Sequence, residues 1–275
     1  MTSEQRARSG FWERSTAWKA VLLIIGCLVF YLAVGWVVGR VFDGEIDDGN
    51  PIGTASSTFF ALVLPVAIGG AVLLLVTARL GWLRTIFGPQ PVGGSRWMWV
   101  APVLVVVAIV GHLGATSWSS WSSVEVLMVG LLGICIGVAE ELATRGLAVK
   151  ILRDAGHSER YVMVVSSLLF ALMHTINLLS GMTLGTVAAT LVYTFGFGAC
   201  IYLAMRVTGT IWTAIVLHAL TDPSTFLATG GIDEAVTDQT GGMSLLAAAA
   251  TILLILVGVV AIFLVHGKAQ ASGDV

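Results

Sequence analysis

Apolar residues occur along this chain in long, nearly unbroken runs, which are separated by short segments rich in polar and charged residues. A helix that crosses a lipid bilayer needs about 20 consecutive, mostly apolar residues. The runs predict eight such helices, at 18–38, 55–78, 97–115, 124–143, 161–178, 184–205, 211–228 and 244–265. The fourth helix is expected to continue past the membrane, because only Gly146 interrupts the helical pattern as far as Leu152.

Composition supports the same class of protein. Hydrophobic residues make up 57% of the 275 residues and charged residues only 11%, whereas soluble domains carry about 25% charged residues. We therefore predict an all-α, polytopic membrane helix bundle that forms a single membrane-embedded domain over 1–275. The net charge of −2 argues against nucleic acid as a partner. The three cysteines are far apart and predict small core residues rather than a metal-binding finger.

Lysine and arginine fall on alternate connections between the predicted helices. One set comprises the N-terminal arm (1–17), the second–third, fourth–fifth and sixth–seventh connections, and the C-terminal end. The opposite loops contain only Arg40 as a basic residue, together with seven acidic residues: Asp43, Glu45, Asp47, Asp48, Asp233, Glu234 and Asp238. Because cytoplasmic loops are enriched in Lys and Arg, we expect both termini in the cytoplasm. We expect the chain to lie in the plasma (cytoplasmic) membrane. The first apolar run is expected to be a retained anchor, since it is too long for a signal peptide.

The fourth helix carries three charged residues, Glu140, Glu141 and Arg145. Glu141 and Arg145 have the i, i+4 spacing and orientation that favour a helical ion pair. Glu140 lies about 100° away on the helix and has no local partner. A carboxyl group in low dielectric without a counter-ion suits general acid–base chemistry. The alternative is that all three are exposed groups at a cytoplasmic helix end.

The fifth and seventh helices carry the remaining candidates for chemistry. His174 follows Phe170 by one helical turn, and Phe170 could simply pack. His218 and Asp222 share a face of the seventh helix, so that the carboxylate could fix the imidazole tautomer. Either histidine could instead form an internal polar contact between helices. Pro223 predicts a kink, which suits a cavity that contains water.

Depth along the helices brings these groups to a similar level. Ionisable residues inside a membrane almost always face the bundle interior and pair with one another. We therefore expect Glu140, His174, His218 and Asp222 to converge in a cavity that opens to the cytoplasm. Glu140, His174 and His218 could also bind a divalent metal such as zinc, although the sequence makes no cofactor certain.

The three motifs occur in a characteristic order on separate membrane helices: Glu-Glu-x-x-x-Arg at 140–145, Phe-x-x-x-His at 170–174 and His-x-x-x-Asp at 218–222. In this order they resemble the CAAX protease and bacteriocin-processing (CPBP, abortive-infection) family of intramembrane peptidases. The resemblance covers about 124–228. It implies peptide-bond hydrolysis within or near the membrane, by either a glutamate-type or a metallo mechanism.

The resemblance also implies roles for individual residues. Glu140 and His174 correspond to the pair that activates water, and His218 and Asp222 to the pair proposed to stabilise the oxyanion. Glu141 and Arg145 give structural support. This chain has Asp222 where the family often has asparagine, and a carboxylate is a poor oxyanion donor unless protonated. Asp222 therefore fits a role in orienting His218 or in binding a ligand.

The expected partners are the lipid bilayer and a peptide or membrane-protein substrate: a prenylated tail, a peptide precursor or a membrane-protein segment. Two other functions remain open. A scaffold or immunity protein would bind a membrane partner without catalysis. A proton-coupled transporter would use the buried Glu and His groups as a proton relay, although the sequence shows no inverted repeat.

Overall fold

The computed structural model describes residues 16–231 and 241–269, which form an all-α bundle without a β-strand. The eight predicted helices are all present in this part of the chain. They are α1 (Trp18–Val41), α2 (Ala55–Arg79), α3 (Arg96–Ala115), α4 (Ser123–Asp154), α5 (Glu159–Leu178), α6 (Leu184–Thr208), α7 (Ile211–Thr229) and α8 (Gly242–Leu264). The predicted fold class is confirmed. Most of the N-terminal arm and the acidic residues of the last loop lie outside the described residues.

Seven of these helices, in the described residues, are both long enough and apolar enough to cross a membrane. The exception is α7, which has sufficient length at 19 residues. Its mean hydropathy is lowered by polar side chains, which include His218 and Asp222. The helix α7 thus carries half of the candidate site. Its hydropathy alone does not support a membrane crossing.

The helix α4 is longer and less regular than its apolar pattern predicts. It runs for 32 residues, and its turns at Leu142–Ala148 widen into a π-helix in which all seven residues are buried. The expectation that this helix continues beyond 143 is confirmed. The alternative of an exposed helix end is wrong, because Glu141 and Arg145 have fully buried side chains. Such π-helical turns occur frequently at functional sites.

Two glycines allow α4 and α7 to pack in close contact. A Cβ atom on Gly133 would lie 2.1 Å from Pro223 Cγ, and one on Gly137 would lie 2.8 Å from the backbone nitrogen of Ala219. Small residues at such spacing let the backbones of membrane helices approach closely. This contact brings the Glu140–Glu141 turn of α4 against the His218 turn of α7.

A network of buried charges connects α4, α5 and α6 at the end of the bundle that was predicted to be cytoplasmic. The Glu159 carboxylate is fully buried and lies 2.8 Å from Arg153 Nη2 and 2.9 Å from Arg206 Nη1. The Tyr202 hydroxyl donates to the same carboxylate, and Arg153 also donates to the Gln90 side chain. Each buried charge has a partner of opposite sign, so the network holds this end of the bundle together.

The helix α5 changes character at His174. Its α-helical part, Glu159–Met173, begins at the Ser158 cap, whose side chain accepts from the Tyr161 amide. The last turns, His174–Leu178, tighten into a 3-10 helix. His174 therefore stands at the junction between the two geometries, with its side chain half-buried.

Candidate active site

The ion pair predicted on α4 is present and is completely buried. Arg145 Nη1 lies 3.0 Å from Glu141 Oε1, and neither side chain is exposed. Arg145 also donates to Thr144 Oγ1 and to the Gly198 carbonyl oxygen on α6. Its guanidinium group lies 4.5 Å from the centre of the Phe170 ring. Contacts with α4, α5 and α6 thus hold Arg145, and Arg145 in turn holds Glu141.

Glu141 also binds the catalytic candidate His218, a contact that the sequence did not predict. His218 Nδ1 lies 2.7 Å from Glu141 Oε1, the same oxygen that accepts from Arg145. A carboxylate only accepts hydrogen bonds, so Nδ1 carries the hydrogen. Glu141 is therefore part of the site as well as of its support, because it fixes the orientation and the tautomer of His218.

The other ring nitrogen of His218 faces two more carboxyl groups. Nε2 lies 3.4 Å from Asp222 Oδ2, as the i, i+4 spacing predicted, and 4.0 Å from Glu140 Oε2. With carboxylates on both sides of the ring, the arrangement favours an imidazolium that has a hydrogen on each nitrogen. His218 is then the cation closest to Glu140 among the histidine, lysine and arginine contacts that the structure records.

Glu140 is the least constrained of the three acidic residues around His218, as its position on the helix predicted. Its side chain is 26% exposed, yet Oε2 is buried and has no hydrogen-bond partner in the described chain. It interacts electrostatically with His218, His174 and Asp222. Glu140 therefore combines partial access with an unsatisfied acceptor, which suits a group that binds and deprotonates water.

His174 is held in the tautomer that a general base requires. Its Nδ1 lies 3.1 Å from the Phe170 carbonyl oxygen one turn earlier. A carbonyl oxygen can only accept, so Nδ1 carries the hydrogen and Nε2 of the neutral ring is free to accept a proton.

Phe170 packs between the two histidines. Its ring centre lies 5.2 Å from that of His174 and 5.5 Å from that of His218, in edge-to-face contacts. The residue that sequence reasoning left as a packing residue therefore sets the spacing between the two imidazoles. The Phe170 ring also contacts the guanidinium group of the buried Arg145 side chain.

Buried side-chain nitrogen and oxygen atoms without a hydrogen-bond partner are confined, in the described residues, to this region. They are Glu140 Oε2, Glu141 Oε2, Arg145 Nε and Ser167 Oγ. Such atoms are rare in folded proteins and are commonly satisfied by ordered water. Ser167 was missed by sequence reasoning, because a serine on an apolar helix carries no signal. Its Cβ lies 3.4 Å from where a Cβ on Gly198 would be, beside Arg145 and Phe170.

The sequence left open a divalent metal bound by Glu140, His174 and His218. In the part of the chain that the structure describes, no group of three or more His, Cys, Asp or Glu side chains is arranged to hold a metal ion. The two contacts of His218 Nε2 are instead with carboxylates, and Nδ1 is taken by Glu141. This placement gives no support to a metal centre at Glu140, His174 and His218.

Comparison with known families covers the same helices. A family model described as "Type II CAAX prenyl endopeptidase Rce1-like" matches residues 96–223. The family that this model describes is the CPBP family. The resemblance predicted from the three motifs is thereby confirmed, and all three CPBP motifs lie inside the matched segment, which also includes α3. The helices α1, α2 and α8 lie outside it. Neither the curated proteins nor the solved structures contain a match to the chain.

Proposed function

We propose that this protein is an intramembrane endopeptidase of the glutamate type, which hydrolyses peptide bonds of membrane-associated or prenylated peptides and proteins. The observation that carries the proposal is the setting of Glu140: a partly accessible carboxyl group with an unsatisfied buried oxygen, 4.0 Å from His218 Nε2. The match of 96–223 to the CPBP family supports the same activity.

In the first step, a water molecule bound between Glu140 and His174 attacks the carbonyl carbon of the scissile bond. Glu140 accepts one proton from this water, and His174 Nε2 accepts a hydrogen bond that orients it. A bond forms between the water oxygen and the carbonyl carbon, and the carbonyl oxygen takes up the negative charge.

His218 stabilises that charge. An imidazolium close to the developing oxyanion acts most strongly in a site that excludes bulk water. Asp222 and Glu141 hold the ring from opposite sides, so little reorganisation is needed during the reaction. This assigns Asp222 a positioning role toward His218, in agreement with the poor donor properties of a carboxylate.

In the second step, the tetrahedral intermediate collapses and the carbon–nitrogen bond breaks. The proton held by Glu140 passes to the leaving amine, which restores the carboxylate. The two products are a carboxylic acid and an amine, and no oxidant or further reactant is needed.

The class of substrate follows from where the site lies. Glu140 is flanked along α4 by membrane-spanning turns on one side and the buried π-helix on the other. We propose that a peptide which itself partitions into the bilayer brings its scissile bond to that depth. A prenyl chain or an apolar peptide segment provides such partitioning, since each buried CH₂ contributes about 0.8 kcal/mol.

The test is cleavage by the purified protein in lipid nanodiscs, with a panel of peptides that includes a prenylated peptide, its unprenylated twin and a membrane-spanning segment. We expect cleavage of a lipid-anchored or spanning peptide, abolished by Glu140→Gln, in preparations whose metal content is measured. Folded wild-type protein that cleaves no peptide would favour a scaffold, and proton flux in proteoliposomes would favour a transporter. Activity that requires stoichiometric zinc would overturn the glutamate-type mechanism.

A further inference from the structure

One face of α1 packs against the rest of the bundle, and Tyr31 lies on it. Ala20, Ile24 and Val38 on this face are 0%, 3% and 6% exposed. Tyr31 follows Ile24 by seven residues and precedes Val38 by seven, so the three side chains point in nearly the same direction. The other residues on this face are small or apolar, so the Tyr31 hydroxyl is the one hydroxyl group on this face.

This face of α1 reaches the candidate site. The helix packs along α2, along the buried π-helical turns Leu142–Ala148 of α4 and along α5. Those turns begin directly after Glu141. The Tyr31 side chain is half-buried and interacts electrostatically with Glu140. Tyr31 therefore lies on the face of α1 that packs against the rest of the bundle, within electrostatic range of Glu140.

A donor and an acceptor in this region both lack partners. Glu140 Oε2 is buried without a hydrogen bond, and among the described residues the Tyr31 hydroxyl makes no hydrogen bond either. A buried carboxylate oxygen without a donor is costly, and a phenol O–H is a good donor to it. One water molecule between them would satisfy both groups.

We propose that Tyr31 is a positioning residue for the hydrolysis proposed above. Its hydroxyl donates to Glu140 Oε2 through one water molecule and directs the other carboxylate oxygen toward the attacking water. The inference rests on the proposed function. It concerns a helix outside the matched CPBP segment 96–223, so that the site is completed by a part of the chain that the family match does not include.

The experiment compares Tyr31→Phe with wild type in the peptide cleavage assay, and uses Tyr161→Phe as the matched control. Tyr161 is exposed at the start of α5, where its ring stacks on His157. We expect Tyr31→Phe to lower kcat about 10- to 100-fold, the effect of one hydrogen bond to a charged group. KM and the thermal unfolding midpoint should stay near wild type, because the ring and its packing are kept. Tyr161→Phe should be unchanged.

Other outcomes overturn the inference. A wild-type kcat in Tyr31→Phe removes the positioning role, and a change in KM alone would make Tyr31 a substrate contact. A lower midpoint with kcat per folded molecule unchanged would make it a packing residue. Failure of the proposed function looks different, since the wild-type protein would then cleave no peptide and Glu140→Gln would have nothing to abolish.

Discussion

A single oxygen atom connects the supporting and the reactive parts of the site. Glu141 Oε1 accepts from Arg145 Nη1 at 3.0 Å and from His218 Nδ1 at 2.7 Å. The neighbouring Glu140 makes neither contact, and its nearest imidazole nitrogen is 4.0 Å away. Two adjacent residues of the same type therefore have different tasks, which are set by the directions in which the helix points them.

The first prediction separates these two glutamates. Glu140→Gln should leave a folded protein and reduce kcat by about 10²–10⁴-fold, because it removes the general base. Glu141→Gln should destabilise the protein, by about 3–5 kcal/mol if the buried Arg145 is left without a counter-ion. Thermal unfolding in detergent and the cleavage assay measure both effects. A Glu140→Gln variant as active as wild type would refute this division of roles.

Sequence reasoning found the contacts within a helix and missed those between helices. The Glu141–Arg145 and His218–Asp222 pairs follow from i, i+4 spacing alone. The Glu141–His218 bond joins residues 77 positions apart, and no periodicity in one helix specifies which side chain of another helix it will meet. For the same reason the sequence did not single out Tyr31 and Ser167, because their contacts with other helices are known only from the structure.

At the scale of elements, the site depends on the approach of α4 to α7. Gly133 and Gly137 remove the side chains that would keep these helices apart. The π-helical turns that follow then carry Arg145 into contact with α5 and α6. The sequence predicted the helices themselves with nearly correct ends. It did not predict the π-helix, because a widened turn hardly alters the spacing of side chains along a segment that is buried on every side.

The second prediction concerns that approach. In Gly137→Ala the new Cβ would lie 2.8 Å from both the Ala219 nitrogen and the Ile215 carbonyl oxygen, which are backbone atoms and cannot rotate away. The helix α7 must move, and His218 moves with it away from Glu141. We expect a loss of about 1–3 kcal/mol in stability and a fall in kcat larger than the fall in folded protein.

The control for this substitution lies on the same helix. A Cβ on Gly130, two turns earlier, would meet nothing within 4 Å, and alanine is the better helix former by about 1 kcal/mol. Gly130→Ala should thus keep wild-type kcat and equal or greater thermal stability. Equal behaviour of the two variants would show that the close α4–α7 contact does not position His218.

At the scale of the whole molecule, the sequence predicted the number of helices and the fold class because both follow from long apolar runs. The orientation in the membrane is a separate matter. It rests on the asymmetry of Lys and Arg between alternate connections, and so does the expectation that the cavity opens to the cytoplasm. Both remain predictions.

The last prediction tests this orientation together with the crossing of α7, the helix whose polar residues lower its hydropathy. The native cysteines, Cys27, Cys135 and Cys200, are first replaced by alanine, and single cysteines are then introduced by Asp47→Cys and Ser272→Cys. Seven helices, α2 to α8, separate these positions. If all seven cross, the two cysteines lie on opposite sides of the membrane. A membrane-impermeant maleimide should then label Asp47→Cys in intact cells and Ser272→Cys only after permeabilisation.

Labelling of both in intact cells would mean an even number of crossings between these positions, and α7 would be the first helix to be considered as one that does not cross. The reverse pattern would keep the eight crossings and invert the topology, because the basic connections would then face outward.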